Sequence, residues 1–191
     1  MKAFQTKLIS TRRFEFLGKK SPHVNRRRPR VGLALSGGGV KAVAHIGVLS
    51  VLAREGLGFD MVAGTSAGAL VGLFHCAGHD PESMSRVLQS ELAGRWWWRW
   101  LPFGKYWRLA RLLRNGGLQS IMQRHVQARR FDELPVPFYV TSTDLVGGEA
   151  VIHDRGDVVT AVQASMSLPG LAQPVADGAR LLVDGGLLTY L

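Results

Sequence analysis

Apolar residues along this chain fall into short continuous runs that alternate with longer stretches of helical spacing. Val31-Gly32-Leu33-Ala34-Leu35 is closed by Ser36 and three glycines, the pattern of a buried strand entering a tight turn. From Val40 to Glu55 the apolar positions Val43, Ile46, Val48, Leu49 and Leu52 recur at helical spacing, and Gly56 and Gly58 supply the stop. The logic then repeats: a strand over Asp60–Ala63, a sharp turn through Gly64 to Gly68, and a helix reaching Ala77. Beyond Pro81 the pattern predicts a helix to Ala93, strands at Phe138–Thr143 and Ala150–His153, a helix over Asp157–Met166, and a last strand at Arg180–Val183. Strands alternating with helices predict an α/β fold, a mainly parallel sheet sandwiched by helices.

Length and composition narrow this to one domain: 191 residues, 46% hydrophobic, bury a real core but do not fill two full domains. The single cysteine, Cys76, excludes an intrachain disulfide framework and fits a reducing compartment. No apolar run approaches the roughly 20 residues needed to span a bilayer, and residues 1–30 lack the apolar region of a secretory signal. The expectation is a cytoplasmic chain, peripheral where it meets a membrane. Charge is unevenly placed. Of the net +10, residues 1–30 carry +9, 31–94 carry −2, 95–130 carry +9 and 131–191 carry −6. Residues 1–30 therefore read as a basic flexible tail, with an organelle transit peptide as the alternative. Residues 31–191 read as the folded domain, with a basic insert at 95–130.

The candidate chemistry sits at the turns. Gly64-Thr65-Ser66-Ala67-Gly68 fits G-x-S-x-G, in which a serine projects from a strand-to-helix corner too tight for side chains at its flanks. The amide of Ala67 then lies near the place where an oxyanion would form. Ser36-Gly37-Gly38-Gly39 offers unblocked amides at a helix N-terminus, a cradle for an anion. Two readings of that cradle stay open: an oxyanion hole, or a dinucleotide fingerprint, since Gly37 to Ala42 fits G-x-G-x-x-A. Asp60 counts against the second, because it begins its strand where a ribose-binding acid would end it. The phosphate-binding pattern ending in Lys-Ser or Lys-Thr is absent, Ala42 following Lys41. Asp184-Gly185-Gly186 places an acid at a strand end before a two-glycine turn. No histidine follows Asp184, so a Ser-Asp-His order is excluded; His45 reads as a packed structural residue, and His75 and His79 as a helix end, with no metal assigned.

SGGGVKA at 36–42, GTSAG at 64–68 and DGG at 184–186, in that order, resemble the patatin-like phospholipase family. Phe131-Asp132-Glu133-Leu134-Pro135, the Thr143-Asp144 pair and Ala164-Ser165-Met166-Ser167-Leu168-Pro169 agree with it, and the resemblance covers residues 31–188. It implies a Ser-Asp dyad without histidine: Ser66 as nucleophile, Asp184 as its base, and the amides of Gly37, Gly38 and Gly39 as oxyanion donors. Lipid acyl esters are the implied substrates, as for a phospholipase A or lysophospholipase, with no cofactor. The cation after the glycines is Lys41 where the family usually has arginine, a change that keeps the charge and loses the planar fork. The family also continues beyond DGG, so the chain reads as cut short after that motif. The alternative is an inactive, truncated relative that binds membranes.

Trp96, Trp97, Trp98, Trp100 and Trp107 all fall within the basic insert, where residues 95–130 contain no acid. Tryptophan interleaved with cations suits a membrane interface with anionic headgroups. Packing on the core is the bland alternative, and single-stranded nucleic acid is disfavoured because no nucleic-acid motif accompanies the insert.

Overall fold

The structure, a computed structural model, describes residues 29–92 and 116–189. The basic tail up to residue 28, and the basic insert with its five tryptophans as far as residue 115, lie outside the described residues.

The first strand-helix unit forms where apolar spacing places it. β1 (Gly32–Leu35) enters the glycine turn, a 3-10 turn follows at Gly39–Ala42, and α1 (Val43–Arg54) continues it. β2 (Met61–Thr65) leads directly into α2 (Ala67–Cys76). Eight of the ten residues of α2 are buried, from Ala67 to Cys76, as expected of a helix apolar on every side. Asp80 accepts the Ser83 N–H at 2.7 Å and Pro81 takes the first helical position, starting α3 (Pro81–Leu92). After α4 (Gly117–His125) come β3 (Phe138–Asp144) and β4 (Glu149–His153). Asp157 caps α5 (Val158–Ser165) by accepting the Thr160 N–H at 2.6 Å. β5 (Val175–Asp177) and β6 (Arg180–Asp184) close the sheet as a hairpin over Gly178-Ala179.

The six strands make one mixed sheet in the order β1-β2-β3-β6-β5, with β4 also on β3. β1, β2 and β3 are parallel, which agrees with the expectation from alternating strands and helices; the strands joined by hairpins are antiparallel. β4 occupies one edge of β3 along residues 140–144. On the other edge β2 pairs as far as Thr65↔Thr141, and β6 takes over at Asp184↔Ser142. β2 runs with β3 and β6 against it, so the C-terminal ends of β2 and β6 meet head to head. That junction brings together residues 118 positions apart.

Two successive parallel crossovers in the same direction place their helices on the same face. α2 and α5 pack side by side there, over Val62, Phe138 and Val140, and α1 and α3 pack outside α2. A Cβ on Gly72 would sit 2.7 Å from the Phe138 ring, so that glycine sets how closely α2 lies on the sheet. Met61, Ala63 and Tyr139 point to the opposite face and are half-buried, and Ile152 on that face is 67% exposed.

Candidate active site

One residue separates the last residue of β2 from the first of α2, and that residue is Ser66. Reversing the chain in one step forces Ser66 to φ 54°, ψ −127°, the single positive φ outside glycine among the described residues. The flanking glycines make the corner possible. A Cβ on Gly64 would lie 2.6 Å from the Ala69 Cα, and one on Gly68 would strike the Leu35 carbonyl oxygen and lie 2.5 Å from that of Ser36. The Ser66 carbonyl accepts the N–H groups of Ala69 and Leu70, locking the first turn of α2.

At the end of β6, Asp184 receives the Ser66 hydroxyl: Oγ donates to Oδ2 at 2.6 Å. Its Oδ1 accepts the Gly186 N–H at 2.8 Å. A Cβ on Gly185 would lie 2.7 Å from the Thr141 hydroxyl, so only glycine lets the chain turn away here against β3. Thr141 in turn shares a 2.6 Å hydrogen bond with the Thr65 hydroxyl, tying the ends of β2 and β3 beside the serine. Both members of the pair are buried, Ser66 at 6% and Asp184 at 3% exposure. Burial raises the Asp184 pKa above its ordinary value, opposed by the hydrogen bonds from Ser66 and Gly186.

The glycine turn runs against the serine. A Cβ on Gly37 would be 3.2 Å from the Ser66 Cβ, and Gly38 and Gly39 have positive φ, at 153° and 56°. Among the described residues the amides of Gly37 and Gly38 meet no backbone acceptor. Lys41 is exposed on the 3-10 turn that follows. His45 reaches back from α1, its Nε2 2.9 Å from the Ser36 carbonyl oxygen, and so anchors the loop rather than touching the serine. His75 packs edge-on to Phe59, whereas His79 meets the His125 carbonyl at 2.9 Å; the two do not converge.

Sequence reading passed over one participant. Ser165, the last residue of α5 and wholly buried, accepts the Ser66 N–H on its Oγ at 2.7 Å. Two residues on, the Ser167 carbonyl accepts the Asp184 N–H at 3.0 Å. The segment Ala164 to Pro169 agrees with the family pattern, but a contact 99 residues away leaves no local signal of the role of Ser165.

An open groove of about 570 Å³ lies by Arg130, Phe131, Pro137 and Phe138, and a void of about 20 Å³ lies between α1, α2 and α3. Neither is lined by Ser66. The groove is at the start of β3, whereas Ser66 stands at the carboxyl end of β2, where parallel sheets place their ligands.

Comparison with known proteins supplies the context. The model of the family described as patatin-like phospholipase matches residues 33–189. An uncharacterized NTE family protein of Mycobacterium tuberculosis is 36% identical over 162 residues, which cover 84% of this chain and 27% of that protein. A lysophospholipase of Mycosarcoma maydis is 30% identical over 168 residues, 84% of this chain and 9% of its own length. The chain thus spans little more than a quarter of the mycobacterial relative. Among solved structures, VipD from Legionella pneumophila superposes with a TM-score of 0.60 at 16% identity, covering 86% of this chain and 47% of VipD, a likeness of fold.

Proposed function

The chain belongs to the patatin-like phospholipase family, and we propose that it is a serine hydrolase of lipid acyl esters, of phospholipase A or lysophospholipase type. The observation that carries this reading is the 2.6 Å hydrogen bond from the Ser66 hydroxyl to a buried carboxylate of raised pKa. A serine needs a base to become a nucleophile, and an ordinary carboxylate, of pKa about 3.9, is a weak one. Desolvation brings Asp184 closer to useful basicity.

In the proposed reaction Asp184 Oδ2 takes the Ser66 proton as Oγ bonds to the ester carbonyl carbon. The tetrahedral oxyanion is held by amides of Gly37, Gly38 and Gly39 and by that of Ala67, with Lys41 adding positive charge nearby. Collapse breaks the carbon–alcohol bond, and the departing alcohol takes the proton from Asp184. Water then gives a proton to Asp184 as its oxygen bonds to the acyl carbon, and collapse breaks the bond from that carbon to Ser66 Oγ, which takes the proton back from Asp184 as the fatty acid leaves. Each oxyanion donor is worth about 3 kcal/mol in the transition state. The geometry serves any acyl ester; the lipid comes from the family and from the lysophospholipase relative. We propose in addition that the basic tryptophan segment, with Trp96, Trp97, Trp98, Trp100 and Trp107, meets anionic headgroups.

Fluorophosphonate labelling of the purified chain tests the chemistry. The native chain takes up one label at Ser66 and Ser66→Ala takes up none. An unlabelled native chain, or labelling that survives Ser66→Ala, rejects the nucleophile.

A further inference from the structure

Ser66 is held in a conformation that side chains rarely adopt, and something outside the elbow must hold it there. Its carbonyl is engaged by Ala69 and Leu70, and its hydroxyl by Asp184. Its amide is the remaining handle, and that amide donates to the Ser165 hydroxyl, itself wholly buried at the end of α5. The next turn of the same segment holds the base, through the Ser167 carbonyl on the Asp184 amide. Nucleophile and base come from strands that only abut, with no ladder between β2 and β6. Two residues within a three-residue span of a third segment therefore contact both.

We propose that Ser165 is a positioning residue for the Ser66–Asp184 pair: its hydroxyl fixes the Ser66 backbone so that Oγ stays aligned on Asp184, while Ser167 fixes the base at a set distance. This rests on the reading of Ser66 as the nucleophile. Loss of the Ser165 hydroxyl leaves a buried amide without an acceptor, and the elbow relaxes away from the aligned geometry. The chemical step suffers and probe binding does not, because the hydrogen bond that Ser165 makes is to the Ser66 backbone amide, whereas the reacting oxygen is bonded to Asp184.

The test is the rate of fluorophosphonate labelling across a concentration series, with thermal melts alongside. Ser165→Ala lowers the limiting labelling rate tenfold or more and leaves the half-saturating probe concentration within twofold of native. Ser165→Cys, which fills the site with a slightly larger atom and weakens the acceptor, does the same and covers the case in which the alanine variant does not fold. Val158→Ala, a cavity at the other end of α5, lowers the melting temperature and keeps the native labelling rate. Native-like rates in both Ser165 variants overturn the proposal, as does an equal loss of rate in Val158→Ala. If the native chain itself is not labelled, the nucleophile reading fails instead, and amide hydrogen exchange at Ser66 decides the contact. Protection in the native chain that disappears in Ser165→Cys then supports the clamp, and an unprotected native amide overturns it.

Discussion

Asp184 lies between a hydroxyl and an amide, and burial still outweighs both hydrogen bonds in setting its pKa. The base is useful only when ionised, so activity on a soluble ester rises with pH through the raised pKa, with the acid limb of kcat/KM above the usual carboxylate range. Stability has the opposite sign. Between the ordinary and the raised pKa the folded chain binds more protons than the unfolded one, so this group's contribution falls as pH increases through that window. Asp184→Asn should therefore cut turnover about 10²- to 10⁴-fold and flatten the pH dependence of the melting temperature there. An acid limb at or below the ordinary carboxylate pKa would remove the case for a desolvated base. His45 makes a second residue-scale prediction. It holds the Ser36 carbonyl, so His45→Ala loosens the glycine turn by about the worth of one hydrogen bond, roughly 0.5–1.5 kcal/mol, and lowers the labelling rate up to about tenfold, while Ser66 remains the labelled site.

The two elements that make the elbow and the glycine turn differ in why they need glycine. At Gly68 the backbone leaves no room: a Cβ would meet the Leu35 and Ser36 carbonyls. Gly39 has open space around it and a φ of 56°. Gly68→Ala should lower stability by about 3 kcal/mol or more, because the overpacking is against backbone that cannot give way, and Gly39→Ala by about 1–2 kcal/mol through backbone strain, both read by chemical denaturation. Equal losses at the two sites would contradict the packing argument. The elbow was legible because its constraints are local: a strand, a helix and two glycines within five residues force one geometry. β5 was not legible. Val175-Ala176-Asp177 is too short to show alternation, follows Pro174, and exists as a strand because β6 offers it an edge. The 3-10 turn at Gly39–Ala42 overlaps the start of the helix expected from Val40, because side-chain spacing cannot distinguish the tight first turn. Ser165 carries no local signal of its role, since its partner lies 99 residues away.

At the scale of the whole molecule, two of the four charge blocks are acidic and fall mostly within the described fold: residues 31–94 carry −2 and 131–191 carry −6. The α/β class followed from the alternation of elements, whereas the meeting of β2 and β6 on one edge of β3 needed the register of three strands at once. A mildly acidic fold repels an anionic membrane, so attraction must come from residues 1–30 and 95–130, each at +9. Near such a surface each cation contributes about 1 kcal/mol, and the attraction decays over a Debye length of roughly 10 Å at 0.1 M salt. The chain should therefore float with vesicles containing phosphatidylserine and remain below with purely zwitterionic ones, and rising salt should release it. Replacing Trp96 and Trp97 with alanine removes apolar anchoring and should weaken flotation on anionic vesicles, most visibly at high salt, where charge is screened. A small fluorophosphonate in solution should still label Ser66 in that variant at the native rate, because the proposed chemistry lies at the β2–β6 junction. Flotation that ignores both lipid charge and the tryptophans would remove the membrane from the function and leave the esterase reading as it stands.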